Sequence, residues 1–126
     1  MRMSRTAREV VELYNLVVWN ERNFELADEL FGDTVIRHDV EAVTTLTHEQ
    51  AVQRVKDNWA MFDKLHFDLP VVVAGDDGEH VAIVYQMTGT TPGGDDVPIA
   101  SIEVFHVVDG KIVEVWNCGH KPGYWK

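Results

Sequence analysis

Apolar positions change their spacing about halfway along this chain. Up to residue 62 they recur at helical intervals; from Phe67 onward they run together or alternate. Thr6-Ala7-Arg8-Glu9 is a capping-box pattern, followed by Val10, Val11, Leu13, Tyr14, Val17 and Val18 at helical spacing. Asn20 and Asn23 interrupt that helix, and residues 24–31 read as a short second one closed by Gly32. Residues 35–40 read as a short strand. Thr47-His48-Glu49-Gln50 is a second capping box, and Val52, Val55, Trp59 and Phe62 continue as one apolar helical stripe. The remaining pattern predicts strands over 67–74, 80–90, 97–108 and 111–118, separated by Asp76-Asp77-Gly78 and by the Pro92-Gly93-Gly94 turn. This order, α-α-β-α-β-β-β-β with helices on one side, predicts an α+β layer fold.

The last two strands form a hairpin around Asp109-Gly110. Both faces of each strand are largely apolar, so both are expected to be covered. Glu103 interrupts one of these faces, and a buried carboxylate is costly unless it is paired or neutral. Two registers are open. A two-residue Asp109-Gly110 turn sets Glu103 opposite Trp116. A three-residue loop of Val108, Asp109 and Gly110 pairs Val107 with Lys111 and sets Ser101 opposite Asn117, with Glu103 and Asn117 on one face. Glycine directly before Lys111 favours the second, with Gly110 left-handed. Ile102, Val104, His106, Ile112 and Trp116 then share the other face, which is expected to bury itself against a second copy of the chain in a homodimer.

A formal net charge of −10 argues against sequence-independent nucleic-acid binding, which needs a basic face, and against docking on anionic membranes. One cysteine, Cys118, allows no internal disulfide, and no apolar stretch approaches membrane-spanning length. The N-terminus opens on a polar run without the apolar core of a signal peptide. A cytoplasmic location is expected. Six histidines are scattered without ligand spacing, so no metal or other cofactor is expected; a His38/Asp39/Glu103 metal site lacks supporting Cys/His spacing.

Asp39, Glu103 and Tyr14 form a candidate pocket constellation. Two carboxylates in one apolar cavity push their proton affinities apart, so one can act as a base while the other stays protonated and donates to a developing oxyanion. That chemistry is proton abstraction beside a carbonyl: isomerisation, dehydration or aldol-type cyclisation of a small hydrophobic molecule. The alternative reading is structural, with Glu103 salt-bridged to Arg37 or hydrogen-bonded to Asn117. His38, Trp59, Phe62, Phe105 and Val115 are the expected ligand contacts in the pocket wall, although His38 also suits a bond to a backbone carbonyl.

The layout, with the phrases Trp19-Asn20, Leu30-Phe31-Gly32-Asp33, His38-Asp39, Ile102-Glu103-Val104-Phe105 and Asp109-Gly110-Lys111-Ile112-Val113-Glu114-Val115-Trp116-Asn117, resembles SnoaL-like proteins of the nuclear transport factor 2-like superfamily. These are similar in architecture to Δ5-3-ketosteroid isomerase, scytalone dehydratase and limonene epoxide hydrolase. The resemblance spans nearly the whole chain. It implies a single domain over 1–126, with a cone-shaped, curved mixed sheet and three N-terminal helices packed on one face (also described as cystatin-like). It sets Asp39 where the isomerase keeps its catalytic base, and Glu103 where the isomerase keeps a protonated aspartate and the SnoaL cyclases a histidine. Asn117 falls on an acid/base aspartate of those cyclases, and an amide cannot exchange that proton. Tyr14 falls near the isomerase tyrosine. The implied activity is that of a cofactor-independent isomerase, dehydratase or cyclase; the alternative is a ligand-binding or dimeric scaffold protein of the same fold.

Overall fold

The computed structural model describes residues 5–126, so the expectation for the extreme N-terminus lies partly outside the described residues. Helix α1 (Ala7–Glu12) starts at Thr6, whose hydroxyl accepts from the Glu9 N–H while the Glu9 carboxylate accepts from the Thr6 N–H. Such a cap is worth about 1 kcal/mol. The helix runs on through a π-helical turn (Leu13–Val18) into α2 (Trp19–Glu21). The buried positions explain the π-turn. Val10, Val11, Tyr14, Asn15, Val18 and Trp19 face the sheet in pairs spaced four apart. At 3.6 residues per turn, such pairs drift about 40° around the axis every four residues. The wider π-turn, with its i→i+5 bonding, returns Val18 and Trp19 to the inner face. A left-handed Arg22 ends α2, and Asn23 caps α3 (Phe24–Leu30).

Next come β1 (Phe31–Asp39) and β2 (Ala42–Thr47), then α4 (His48–Trp59) with the Thr47/Gln50 capping box in place. The chain continues with β3 (Lys64–Ala74), β4 (His80–Thr90), β5 (Asp96–Val108), β6 (Lys111–Asn117) and a short β7 (Lys121–Pro122). The sheet order is β2-β1-β6-β5-β4-β3, with β7 also on β5. Only β1 and β6 pair in parallel, so the sheet is mixed. The expected α+β fold, with its N-terminal helices against one face of a curved mixed sheet, is the fold observed.

The first strand starts at Phe31 rather than residue 35 and the third at Lys64 rather than residue 67, and two further features differ from the sequence reading. Gly32 does not close α3; it lies inside β1, where a Cβ would come within 3.2 Å of Val113 Cγ1. Strand β2 was not expected, because its first four residues are exposed and carry no alternating apolar signal.

The hairpin register is also corrected. Asp109 and Gly110 are both left-handed (φ 51° and 75°), giving a two-residue turn in which Val108, not Val107, pairs with Lys111. Val113 is then an extra residue, a bulge that shifts the ladder so that Glu103 pairs with Asn117. Gly110 is left-handed and Glu103 and Asn117 share a face, as expected, but the bulge achieves this rather than a longer loop. A consequence is that Ile112 moves from the outer to the inner face and is fully buried.

Candidate functional site

Along each central strand the inner face passes from apolar to polar in one direction. On β1 it reads Val35, Arg37, Asp39; on β6 Ile112, Val115, Asn117; on β5, read backwards, Val107, Phe105, Glu103, Ser101. The strand pairings align these changes across the sheet. Arg37, Val115, Phe105 and Val81 form one row, Asn117, Glu103 and Ile83 the next, and Ser101 with Tyr85 the next. Where the rows are apolar, α1 packs down with Val10 and Val11, which are fully buried. Where they turn polar, Tyr14, Asn15 and Trp19 stand over a cavity of about 600 Å³.

The wall of that cavity is apolar and aromatic. Trp19, Leu46, Phe62, Leu65, Phe67, Met87 and Ile99 line it, with the half-exposed Met61. Trp19 and Phe67 lie 5.3 Å apart between ring centres, as do Phe67 and Tyr85. Phe62 follows α4 and rests on β4 at Gly89, where a Cβ would fall 2.6 Å from its ring. A larger residue there would displace the ring.

The polar groups converge on the sheet side. Arg37 Nη2 reaches over β6 to within 3.8 Å of Glu103 Oε2, and both side chains are largely buried, at 14% and 12% exposed. This is the ion pair of the structural alternative above. Asp39 lines the cavity from the exposed end of β1. Burial, reinforced by the Glu103 charge and opposed by hydrogen bonding from Asn117 and Ser101, pushes the Tyr85 hydroxyl up to about 12. Burial is also the main reason that the Tyr14 hydroxyl is pushed up, with Arg54 acting in the opposite direction. Both phenols therefore stay protonated at neutral pH and can donate. Asn117 Oδ1 accepts from the Gly119 N–H at 2.6 Å and from Ser101 Oγ at 3.4 Å. Its carbonyl thus holds the turn after β6, and Asn117 shapes the cavity wall.

Of the residues singled out from sequence, Tyr14, Asp39, Phe62, Glu103 and Asn117 meet at the cavity. The other four do not. His38 lies on the opposite face, with Nε2 2.5 Å from Glu114 Oε2 and its ring stacked on Trp116 at 4.8 Å. Adjacent strand residues point to opposite faces, so His38 and Asp39 cannot share a pocket. Trp59 turns inward beside it, its Nε1–H donating to the Trp19 carbonyl at 2.9 Å under the Arg22 guanidinium. Phe105 and Val115 belong to the apolar rows and line only a void of about 10 Å³. Among residues not singled out, Arg54, Asn58 and Tyr85 matter most. Tyr85 was detectable from the β4 alternation, which buries Val81, Ile83, Tyr85 and Met87 together.

No group of three His, Cys, Asp or Glu side chains among the described residues is arranged to hold a metal ion. No helix among them is long and apolar enough to cross a membrane.

The model of the SnoaL-like domain matches residues 10–115. No curated protein matches. Among solved structures, a SnoaL-like polyketide cyclase from Agrobacterium tumefaciens is 15% identical, with 93% of this chain and 92% of that one covered at a TM-score of 0.75. The epoxide hydrolase/cyclase-like enzyme SalBIII, described in pyran ring formation in the polyether salinomycin, is 22% identical, with coverage of 93% and 90% and a TM-score of 0.75. An epoxide hydrolase of M. tuberculosis is 18% identical, with coverage of 89% and 80% and a TM-score of 0.73. At these identities the likeness is one of fold, which hosts many chemistries.

Proposed function

We propose a function for this chain, which belongs to the SnoaL-like domain family: cofactor-independent acid–base catalysis on a small hydrophobic carbonyl compound, of isomerase, dehydratase or cyclase type. The observation that carries this reading is the convergence of Asp39, Glu103, Tyr14 and Tyr85 on one apolar cavity of about 600 Å³. That size suits a drug-sized molecule, and a few convergent polar groups in an apolar pocket are what orient one.

Asp39 is the base in this reading. It carries no ion pair among the described residues and stands at the exposed end of β1, on the cavity wall. Glu103 is tied to Arg37, so the hydrogen-bond donors for a developing oxyanion are the phenols of Tyr14 and Tyr85. Glu103 and Arg37 together orient the polar end of the ligand. In the proton-transfer step, the Asp39 carboxylate takes the proton on the carbon beside the carbonyl, the C–H electron pair moves to make the enolate, and the proton returns to a different atom. Chemistry at one cavity in the cytoplasm completes this picture, with a second copy seated on the outer sheet face, where Val71, Val73 and Ile102 are about half exposed.

The test is exchange of carbon-bound protons for deuterium on a panel of apolar ketones and β-keto esters in D2O, followed by NMR. Asp39→Asn should slow exchange about 10²- to 10⁴-fold, the usual range for loss of a general base. Equal rates in wild type and Asp39→Asn would dismiss Asp39 as the base. A second reading, a binding protein without chemistry, is favoured by the Arg37–Glu103 pair, which neutralises the deepest carboxylate. Ligand binding without exchange on any member of the panel selects it.

A further inference from the structure

Arg54 is the cavity arginine that the mechanism above leaves unused. It sits on α4, one turn before Asn58, and both line the main cavity; it also borders the small void beside Arg37 and Tyr14. Every acidic residue of the chain falls among the described residues, so its possible partners can be surveyed. Arg5 pairs with Glu29, Arg8 with Glu12 and Arg37 with Glu103, while Arg22 donates to the Asp63 carbonyl and covers Trp59. Arg54 alone has neither an ion pair within 4.0 Å nor a hydrogen bond to protein among the described residues. Its one acidic neighbour a turn away, Asp57, accepts instead from Gln53 Nε2 at 2.8 Å.

Arg54 is partly buried, and its unpaired nitrogens are open to the cavity rather than sealed from water, so an unneutralised guanidinium is available there in a chain of net charge −10. With 21 acidic residues in the chain, a partner was easily supplied, and none stands there. Arginine's planar fork matches a carboxylate with two parallel N–H donors. The same cavity is lined by Trp19, Leu46 and Met61, surfaces for an apolar body.

Resting on the cavity being a ligand site, we propose that the ligand is a hydrophobic carboxylic acid, its carboxylate bound by Arg54 and its apolar body against the aromatic wall. Arg54 is thereby a specificity residue. It selects the anion and fixes which end of the molecule faces Asp39 and Glu103.

The test compares two probes of nearly equal shape, 1-naphthaleneacetic acid and 1-naphthaleneacetamide, by isothermal titration at pH 7 with the full chain. A hydrogen-bonded charge contact of this kind corresponds to about a 10- to 100-fold preference for the acid. Arg54→Gln should bring the two affinities together by weakening the acid only, and Arg54→Lys should keep part of the preference. Equal binding of acid and amide by the wild type overturns the inference while leaving the cavity a ligand site. So does a preference that survives intact in Arg54→Gln, which would assign it to Arg37. Binding of neither probe overturns the ligand-site reading and this inference with it. If circular dichroism shows Arg54→Gln unfolded, Arg54→Lys decides the matter: a preference for the acid smaller than that of the wild type supports the inference, and an unchanged preference overturns it.

Discussion

Replacing Arg37 by methionine keeps the apolar length of the side chain and removes its charge, stranding Glu103 against β6. The ion-pair separation of 3.8 Å corresponds to a gross attraction of about 4 kcal/mol at an effective dielectric constant of about 20. Truncating one partner of a well-buried pair costs about 3–5 kcal/mol. Here the separation exceeds hydrogen-bond length and the pair borders a cavity, so water can reach the orphaned carboxylate; a cost of about 2 kcal/mol is expected. At about 4 °C per kcal/mol for a chain of this size, the melting temperature should fall by about 8 °C. Glu103→Gln in the same background removes the stranded charge and keeps the shape, so the double variant should regain most of the loss. The measurement is thermal unfolding by circular dichroism on wild type, both single variants and the double variant. The coupling between the two sites is then read from the cycle. A double variant as unstable as Arg37→Met, or Arg37→Met melting with the wild type, refutes the assignment of the pair as what neutralises Glu103.

Two further perturbations test other parts of the structure. His48 Nδ1 faces the Gly32 carbonyl at 3.0 Å and Nε2 faces Asp28 Oδ1 at 2.7 Å, so both ring nitrogens serve best as donors and the imidazolium is favoured, chiefly through Asp28. Its raised value means that its stabilisation is complete below the unfolded histidine range near about 6.5 and is lost as pH rises through the folded value; the exposed partner keeps it under about 1 kcal/mol. His48→Gln should flatten that part of the pH–stability curve, and an unchanged slope between pH 6 and 8 in urea titrations counts against it. Gly89→Ala drives a methyl into the Phe62 ring and should displace that ring from the cavity wall. Altered affinity for bulky apolar probes with little change for small ones is expected, and identical affinities for both refute the seating of Phe62 on Gly89.

The helices, the four long strands and both capping boxes were readable because each rests on local chemistry: a hydroxyl three residues before a carboxyl or amide, or an apolar residue at a fixed period. What escaped is what pairing decides. The edge strand β2 buries almost nothing, so its residues carry no pattern. The bulge at Val113 was hidden because Ile112, Val113 and Val115 are all apolar; the trace it leaves is the three-residue step between buried Ile112 and Val115, which a flat strand cannot place on one face. At the site, Glu103 and Asn117 stood out as polar residues in apolar runs. Arg54 did not, since an arginine on an amphipathic helix looks like any solvated one until the cavity beside it is seen.

The parallel pairing of β1 with β6 also fixes an order of assembly. His38 and Glu114, joined across the sheet, are 76 positions apart, whereas β3 to β6 build up through antiparallel neighbours linked by short turns. Closing so long a loop costs entropy before any contact repays it, so that step should set the folding rate. During synthesis β1 emerges early and lacks its parallel neighbour until residues 111–117 leave the ribosome to receive it. The same strand that carries Asn117 into the cavity is therefore the one whose arrival closes the open edges of β1 and β5.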